Sequence, residues 1–186
     1  MITLKEFKRK VLRMIEEEST NPEEYTDDPD IEAKFNDVTN QVMFELARMK
    51  KIPAREVEKV KAGEYLLTDL PRFYQLDNVR LVDEGGESAE AFIFGNIVEF
   101  STDGTATFYY YKYPERITNE TVDEDYVFEL SDDALEILPY GVAADLLKSD
   151  VSAMYGREYA QRFETMLARL DSRTSIGSVY IQKGES

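Results

Sequence analysis

Carboxylates are the most plentiful reactive groups in this sequence. It carries 38 Asp and Glu against 22 Lys and Arg, and it has neither Cys nor His. The missing types exclude disulfides, thiolate metal sites, an imidazole general base, the Ser-His-Asp arrangement and the usual zinc sites. Catalysis would therefore have to run on carboxylates, Lys or Tyr. Two carboxylates can hydrolyse a glycosidic bond when an apolar pocket raises one of them, but no pair stands out for that role. Asp123-Glu124-Asp125 and Asp27-Asp28-Pro29-Asp30 gather hard oxygen ligands. Neither has the spacing, central Gly and distal Glu of a calcium-binding EF-hand loop, so both read as acidic loops. No catalytic residue, metal or cofactor is expected.

Other constellations have equally plain readings. Gly85-Gly86 and Asp103-Gly104 separate strand-like runs, and no helix follows them to build a phosphate cradle. Phe108 to Tyr113 could form a sugar-binding platform, although aromatics in a strand more often make cross-strand pairs and core. The cationic face Lys5, Lys8, Arg9 and Arg13 could touch DNA or an acidic partner, or simply be solvated.

Net charge is −16 over 186 residues. An overall basic footprint for nucleic acid is absent, and such acidity repels DNA and anionic membranes. No apolar run approaches the roughly 18 residues of a membrane helix, and residues 1–10 lack the apolar core of a signal peptide. Cytoplasmic production follows as the expectation, with no membrane partner. Acids crowd around residues 23–32 and 123–133, and cations around 5–13 and 48–61. These clusters are either solvated faces or complementary patches between neighbouring copies.

The elements that would position these groups follow from periodicity. A first helix over 3–18 has Thr3 as cap, with Glu6 completing a capping box, and an apolar stripe of Leu4, Phe7, Val11, Met14 and Ile15. A second, over 30–50, carries Ile31, Phe35, Val38, Val42, Leu46 and Met49; Asp28 or Asp30 would cap it and Pro53 stop it. From about residue 54 the period changes. Runs at 64–68, 74–82, 89–94, 97–101 and 105–113 predict a sheet or sandwich of about five antiparallel strands, with Asp103-Gly104 as a tight hairpin. In the last run Phe108 and Tyr110 face one way and Tyr109, Tyr111 and Tyr113 the other, which would allow both faces to be covered.

Residues 131–170 read as two helices joined at 148–150. Ser131 is a suitable N-cap, and Asp132 and Asp133 favour the first turn. Leu135, Leu138, Val142 and Leu146 share one face of the first helix. Tyr155, Tyr159, Phe163, Met166, Leu167 and Leu170 share a face of the second. Pro139 should either kink the first helix or split off 131–138, at about 3 kcal/mol, and Gly141 adds about 1 kcal/mol relative to Ala.

The segment Phe128-Glu129-Leu130-Ser131-Asp132-Asp133-Ala134-Leu135-Glu136-Ile137-Leu138-Pro139-Tyr140-Gly141-Val142-Ala143-Ala144-Asp145-Leu146-Leu147-Lys148-Ser149-Asp150, with the helix after it, resembles the head–tail connector (adaptor, or head-completion) proteins of tailed bacteriophages and prophages. Asp37-Val38-Thr39-Asn40-Gln41-Val42 and Tyr110-Tyr111-Lys112-Tyr113-Pro114 add to the likeness. The resemblance implies an α+β fold: a four-helix adaptor-like bundle (1–53 and 126–174) with a small antiparallel β domain and acidic connector (54–125) inserted between the second and third helices. It also implies a virion structural protein of the neck, assembled in the host bacterial cytoplasm. Such subunits form a ring, commonly of about twelve copies, on the portal protein. They extend the channel for packaged DNA and give neck or tail proteins a surface. The C-terminal tail, 175–186, would dock on the portal by strand addition, with Ile176, Val179, Tyr180 and Ile181 as docking residues. The β insertion departs from the smaller, essentially helical adaptors. Two readings stand outside the resemblance: a carbohydrate- or peptide-binding module built on the aromatic strand, and a carboxylate-dependent hydrolase.

Overall fold

The computed structural model describes residues 2–149 and 154–172. They form a mixed α+β structure of four helices and two antiparallel sheets. The order is α1 (Leu4–Met14), α2 (Pro29–Met49), β1 (Ile52–Val60), β2 (Gly63–Leu66), β3 (Phe73–Asp83), β4 (Ser88–Ala89), β5 (Ala91–Phe94), β6 (Ile97–Phe100), β7 (Gly104–Lys112), α3 (Asp132–Leu146) and α4 (Met154–Ser172), with short 3-10 turns at Leu67–Asp69 and Leu147–Ser149.

Helix starts follow local chemistry. The Glu6 amide donates to Thr3 Oγ1 and the Thr3 amide to Glu6 Oε2, a complete capping box. Asp28 caps α2 by accepting from the Asp30 and Ile31 amides, and Pro29 stands in the first turn, where its missing donor costs nothing. The first helix ends at Met14, four residues short of the expected end. Beyond the C-cap Ile15 come Glu16, Glu17 and Glu18, which are repelled by the negative C-terminal end of the dipole, and Glu16 turns into the left-handed region at φ 63°.

Pro53 does not terminate α2. Lys50 is the C-cap, and Pro53 lies inside β1, an edge strand where a proline is tolerated. Among the described residues there are seven strands, where about five are expected from the sequence. The larger sheet runs β1-β7-β3-β4 and the smaller β2-β6-β5. Asp103-Gly104 is not a hairpin, because β6 and β7 belong to different sheets and the chain crosses between them there. Gly104 is required by close approach: a Cβ would stand 2.3 Å from the Val82 carbonyl oxygen. The two-residue hairpin is Gly95-Asn96, with Gly95 at φ 60° joining β5 to β6.

The sheets pack face to face. Phe108, Tyr110, Ala106 and Leu81 from the larger sheet bury against Val98 and Phe100 from the smaller. Tyr65 lies 4.8 Å and Phe100 6.1 Å from Phe108, ring centre to ring centre. Only one face of the aromatic strand is covered in this way. Tyr109 is exposed on the other, and Tyr111 is half-buried.

A second apolar cluster lies among the helices. Phe7, Val11, Val42, Met43, Leu46, Leu138, Val142 and Leu146 are fully or nearly fully buried there, joined by Ile117, Tyr126 and Phe128 from the connector. Helix α3 contacts α1, α2 and α4. It is accordingly buried nearly all round (Ala134, Ile137, Leu138, Pro139, Gly141, Val142, Ala143, Leu146) and not on a single stripe. It runs unbroken through Pro139 as one helix. Ser131 occupies the N-cap position, but its hydroxyl makes no capping bond; Oγ is buried and has no partner among the described residues.

Candidate functional site

Two polar features join distant parts of the chain. The first is centred on Glu129, just before α3. Its carboxylate accepts from both terminal nitrogens of Arg72, from Lys112 Nζ at 2.6 Å and from the Glu115 amide at 3.0 Å. Arg72 sits in the β2–β3 loop and Lys112 ends β7, so one carboxylate ties both strand segments to the start of α3. Burial works against the charge on Glu129. The bonds from Arg72, Lys112 and the Glu115 amide together outweigh it and hold the carboxyl below the usual carboxylate range. Arg72 takes a left-handed φ of 54°, uncommon for a residue with a Cβ, and its carbonyl accepts from the Tyr113 amide. Beside this node, Tyr113 meets Phe44 of α2 at 5.5 Å and Tyr74 of β3 at 4.9 Å.

The second is Asn40 on α2, buried to 2% exposure. Its Nδ2 donates to the Ile117 carbonyl and its Oδ1 accepts from the Ile117 amide, each at 2.8 Å. The amide side chain thus replaces a strand partner for an isolated stretch of connector, satisfying both backbone groups.

Clustered charges pair partly within the chain. Lys8 bonds Asp123 at 2.9 Å with both side chains largely buried, and Lys5 reaches Glu124 at 2.8 Å. The acidic loop 123–125 therefore clamps the cationic side of α1. Asp28 is spent as a cap and Asp27 accepts from the Ser19 hydroxyl. Among the described residues, no three Asp or Glu side chains gather where they could hold a metal.

Resolved shifts run away from acid–base chemistry. Hydrogen bonds from Arg13 to Glu18 and from Lys5 to Glu124 hold those carboxyls low, as at Glu129. A general acid needs the opposite shift. Burial comes first in pushing up the hydroxyls of Tyr65, Tyr126 and Tyr159, which keeps them protonated.

A groove of about 650 Å³ lies between α2, the end of α3 and α4, lined by Val42, Glu45, Gly141, Asp145, Arg157 and Phe163 among others. Gly141 brings these helices together: a Cβ there would lie 2.6 Å from Val42 Cγ1 and 2.7 Å from Phe163 Cε2. Among the described residues, no helix is long and apolar enough to cross a membrane.

Ile176, Val179, Tyr180 and Ile181 lie outside the described residues. Tyr109 and Tyr111 lie on the outer face of the larger sheet, where Tyr111 donates to Asp77 and has Lys51 Nζ 4.8 Å from its ring centre. The Glu129 node and the Asn40 staple had no local signal, because the partners of Glu129 stand 14, 17 and 57 residues away and that of Asn40 77. No family model matches the chain, and no curated protein matches it.

Proposed function

We propose that this chain is a structural subunit of a phage neck: a head–tail connector that forms a ring on the portal, extends the DNA channel and offers neck or tail proteins an attachment surface. Its place would be the virion neck, assembled in the bacterial cytoplasm. The four helices would be the adaptor-like bundle (1–53 and 126–174), the strands with their connector the insertion (54–125), and 175–186 the portal-docking tail.

The observation that carries the reading is the position of α3. The segment bearing the resemblance contains the helix that the other three described helices contact, and Glu129, the node that holds the strands, stands just before that helix. This organisation suits a rigid adaptor that projects a second surface. The downward carboxyl shifts and the upward tyrosine shifts favour a structural role over a hydrolytic one.

The test mixes full-length protein with its portal and reads binding by mass measurement and electron microscopy. Rings on the portal are expected, lost when residues 175–186 are removed. Full-length protein that never associates with the portal would sink the proposal. A second reading rests on Tyr109, exposed between Arg55 and Asn78 in the cross-strand register: a carbohydrate- or peptide-binding face. Binding on a glycan or peptide array that Tyr109→Ala abolishes would favour it.

A further inference from the structure

The two outer faces of the packed sheets differ in charge. On the larger sheet, outward positions of β1 and β3 flank the central β7. Arg55 pairs across with Tyr109, Arg80 with Thr107 and Lys59 with Thr105. Tyr109 and Val57 are 37% and 49% exposed, adding apolar area between the cations. Among the described residues, none of Arg55, Lys59 and Arg80 has an ion-pair partner. The one acid bonded on this face is Asp77, which accepts from Tyr111. A locally cationic face is unexpected on a chain of net charge −16.

The outer face of the smaller sheet is the counterpart. Leu66, Ile97 and Phe94 form one cross-strand row, and Glu64, Glu99 and Phe92 the next. Leu66, Phe92 and Phe94 are 50%, 49% and 64% exposed. Glu64 and Glu99 stand directly opposite each other with no cation on either among the described residues. Like charges placed opposite across strands destabilise a sheet, and a cation from outside would relieve this pair. Each face thus offers what the other lacks, and the two lie on opposite sides of the packed sheets.

We propose that the anionic, apolar face around Glu64, Glu99 and Phe94 docks on the cationic face around Arg55, Arg80 and Tyr109 of a second copy of this chain. The two patches differ, so the contact is head-to-tail: each assembly keeps one free face of each kind at its two ends, and repetition closes into a ring or runs on as a filament. The inference deepens the reading of the chain as a ring subunit by naming the surfaces. It can fail independently, because portal binding through the tail needs neither face.

The test is sedimentation velocity on the full chain over a concentration series. Wild type is expected to associate at low salt, at least roughly tenfold more weakly near 0.5 M salt. Arg55→Glu/Arg80→Glu and Glu64→Arg/Glu99→Arg should each be monomeric alone. Their equimolar mixture should associate, because each reversed face then meets its complement. All four positions are exposed, and thermal melting checks that the variants fold; Lys59→Glu is the milder variant for the cationic face. Wild type that stays monomeric, reversal variants that associate like wild type, or a mixture that stays monomeric overturns the proposal. So does a wild-type monomer that binds single-stranded DNA through Arg55 and Arg80, which would make the face a polyanion site. Self-association intact with no portal binding would instead sink the connector reading and leave this contact standing.

Discussion

Replacing Gly141 with Ala sets two effects of known sign against each other. Alanine is the better helix former by about 1 kcal/mol in a helix interior, so propensity alone favours the variant. Packing opposes it. The new methyl would stand 2.6 Å from Val42 Cγ1 and 2.7 and 2.9 Å from two carbons of the Phe163 ring, where carbon atoms prefer about 3.5–4.0 Å. Both neighbours would have to give by roughly an ångström, in different directions. Val42 is 2% exposed and stiff at χ1, so little of the strain can be relieved there. Phe163 is only half-buried, so α4 is the element that shifts. Overpacking costs about 1–3 kcal/mol, and with two neighbours to displace the upper part of that range, about 2–3 kcal/mol, applies. Against the propensity gain, a net loss of roughly 1–2 kcal/mol follows, or about 2–8 °C in melting temperature at this chain length. Thermal melts of Gly141→Ala, Val42→Ala and the double variant measure it. The double variant should lose less than the sum of the two singles, because Val42→Ala vacates the space the methyl needs. A Gly141→Ala protein as stable as wild type, or more so, would refute the assignment of Gly141 to helix packing.

The other predictions concern single joints. Asn40→Ala strips both partners from the buried Ile117 backbone groups and should cost about 2–4 kcal/mol, read by denaturant titration. Glu129→Gln should flatten the acid limb of the stability curve. The folded carboxyl is held low, so its contribution is present above the unfolded value of about 4.3 and is lost as pH falls through the folded one; the difference between wild type and variant should therefore shrink below about pH 4. Gly104→Ala drives a methyl into the Val82 carbonyl, a backbone atom that no rotamer can move, and should lower stability by at least roughly 2 kcal/mol, seen as a lower urea midpoint.

Helix starts were legible because the signals are local. Thr3 with Glu6, and Asp28 before Pro29, specify their caps within four residues. Strand β1 was hidden because its interior, Arg55-Glu56-Val57-Glu58-Lys59, carries charges on both faces and its one apolar residue, Val57, points outward. Its inward Glu58 is accommodated by the Tyr65 hydroxyl at 2.8 Å, a contact no local pattern announces. Asp103-Gly104 misled for a related reason. A glycine serves a tight turn or a close backbone approach equally well, and only the neighbouring strand reveals which. Gly95-Asn96 carried the true hairpin in a less conspicuous dipeptide. The stripe on α3 was read from one side only, since a helix enclosed by three others needs apolar or small residues all round. Of the candidate site, Glu129 was visible as a residue of the resembling segment, whereas Arg72 and Lys112 are brought to it by the fold.

Polar and aromatic contacts help to join the two apolar clusters, and this bears on how the strands can serve the helices. Hydrophobic burial is non-directional: it holds surfaces together while leaving their angle loosely specified. A forked guanidinium on a carboxylate fixes distance and plane at once. At Glu129 the fork of Arg72, the ammonium of Lys112 and the Glu115 amide converge on two oxygens, and Tyr113 wedges between Phe44 and Tyr74 alongside. Each cluster has its own apolar core, so loss of the node would act first on the angle between the sheets and α3. Glu129→Ala should therefore alter orientation more than local fold. In the proposed head-to-tail contact both docking faces lie on the packed sheets, so the angle held at Glu129 would set where the helices stand relative to that contact and not whether successive contacts close.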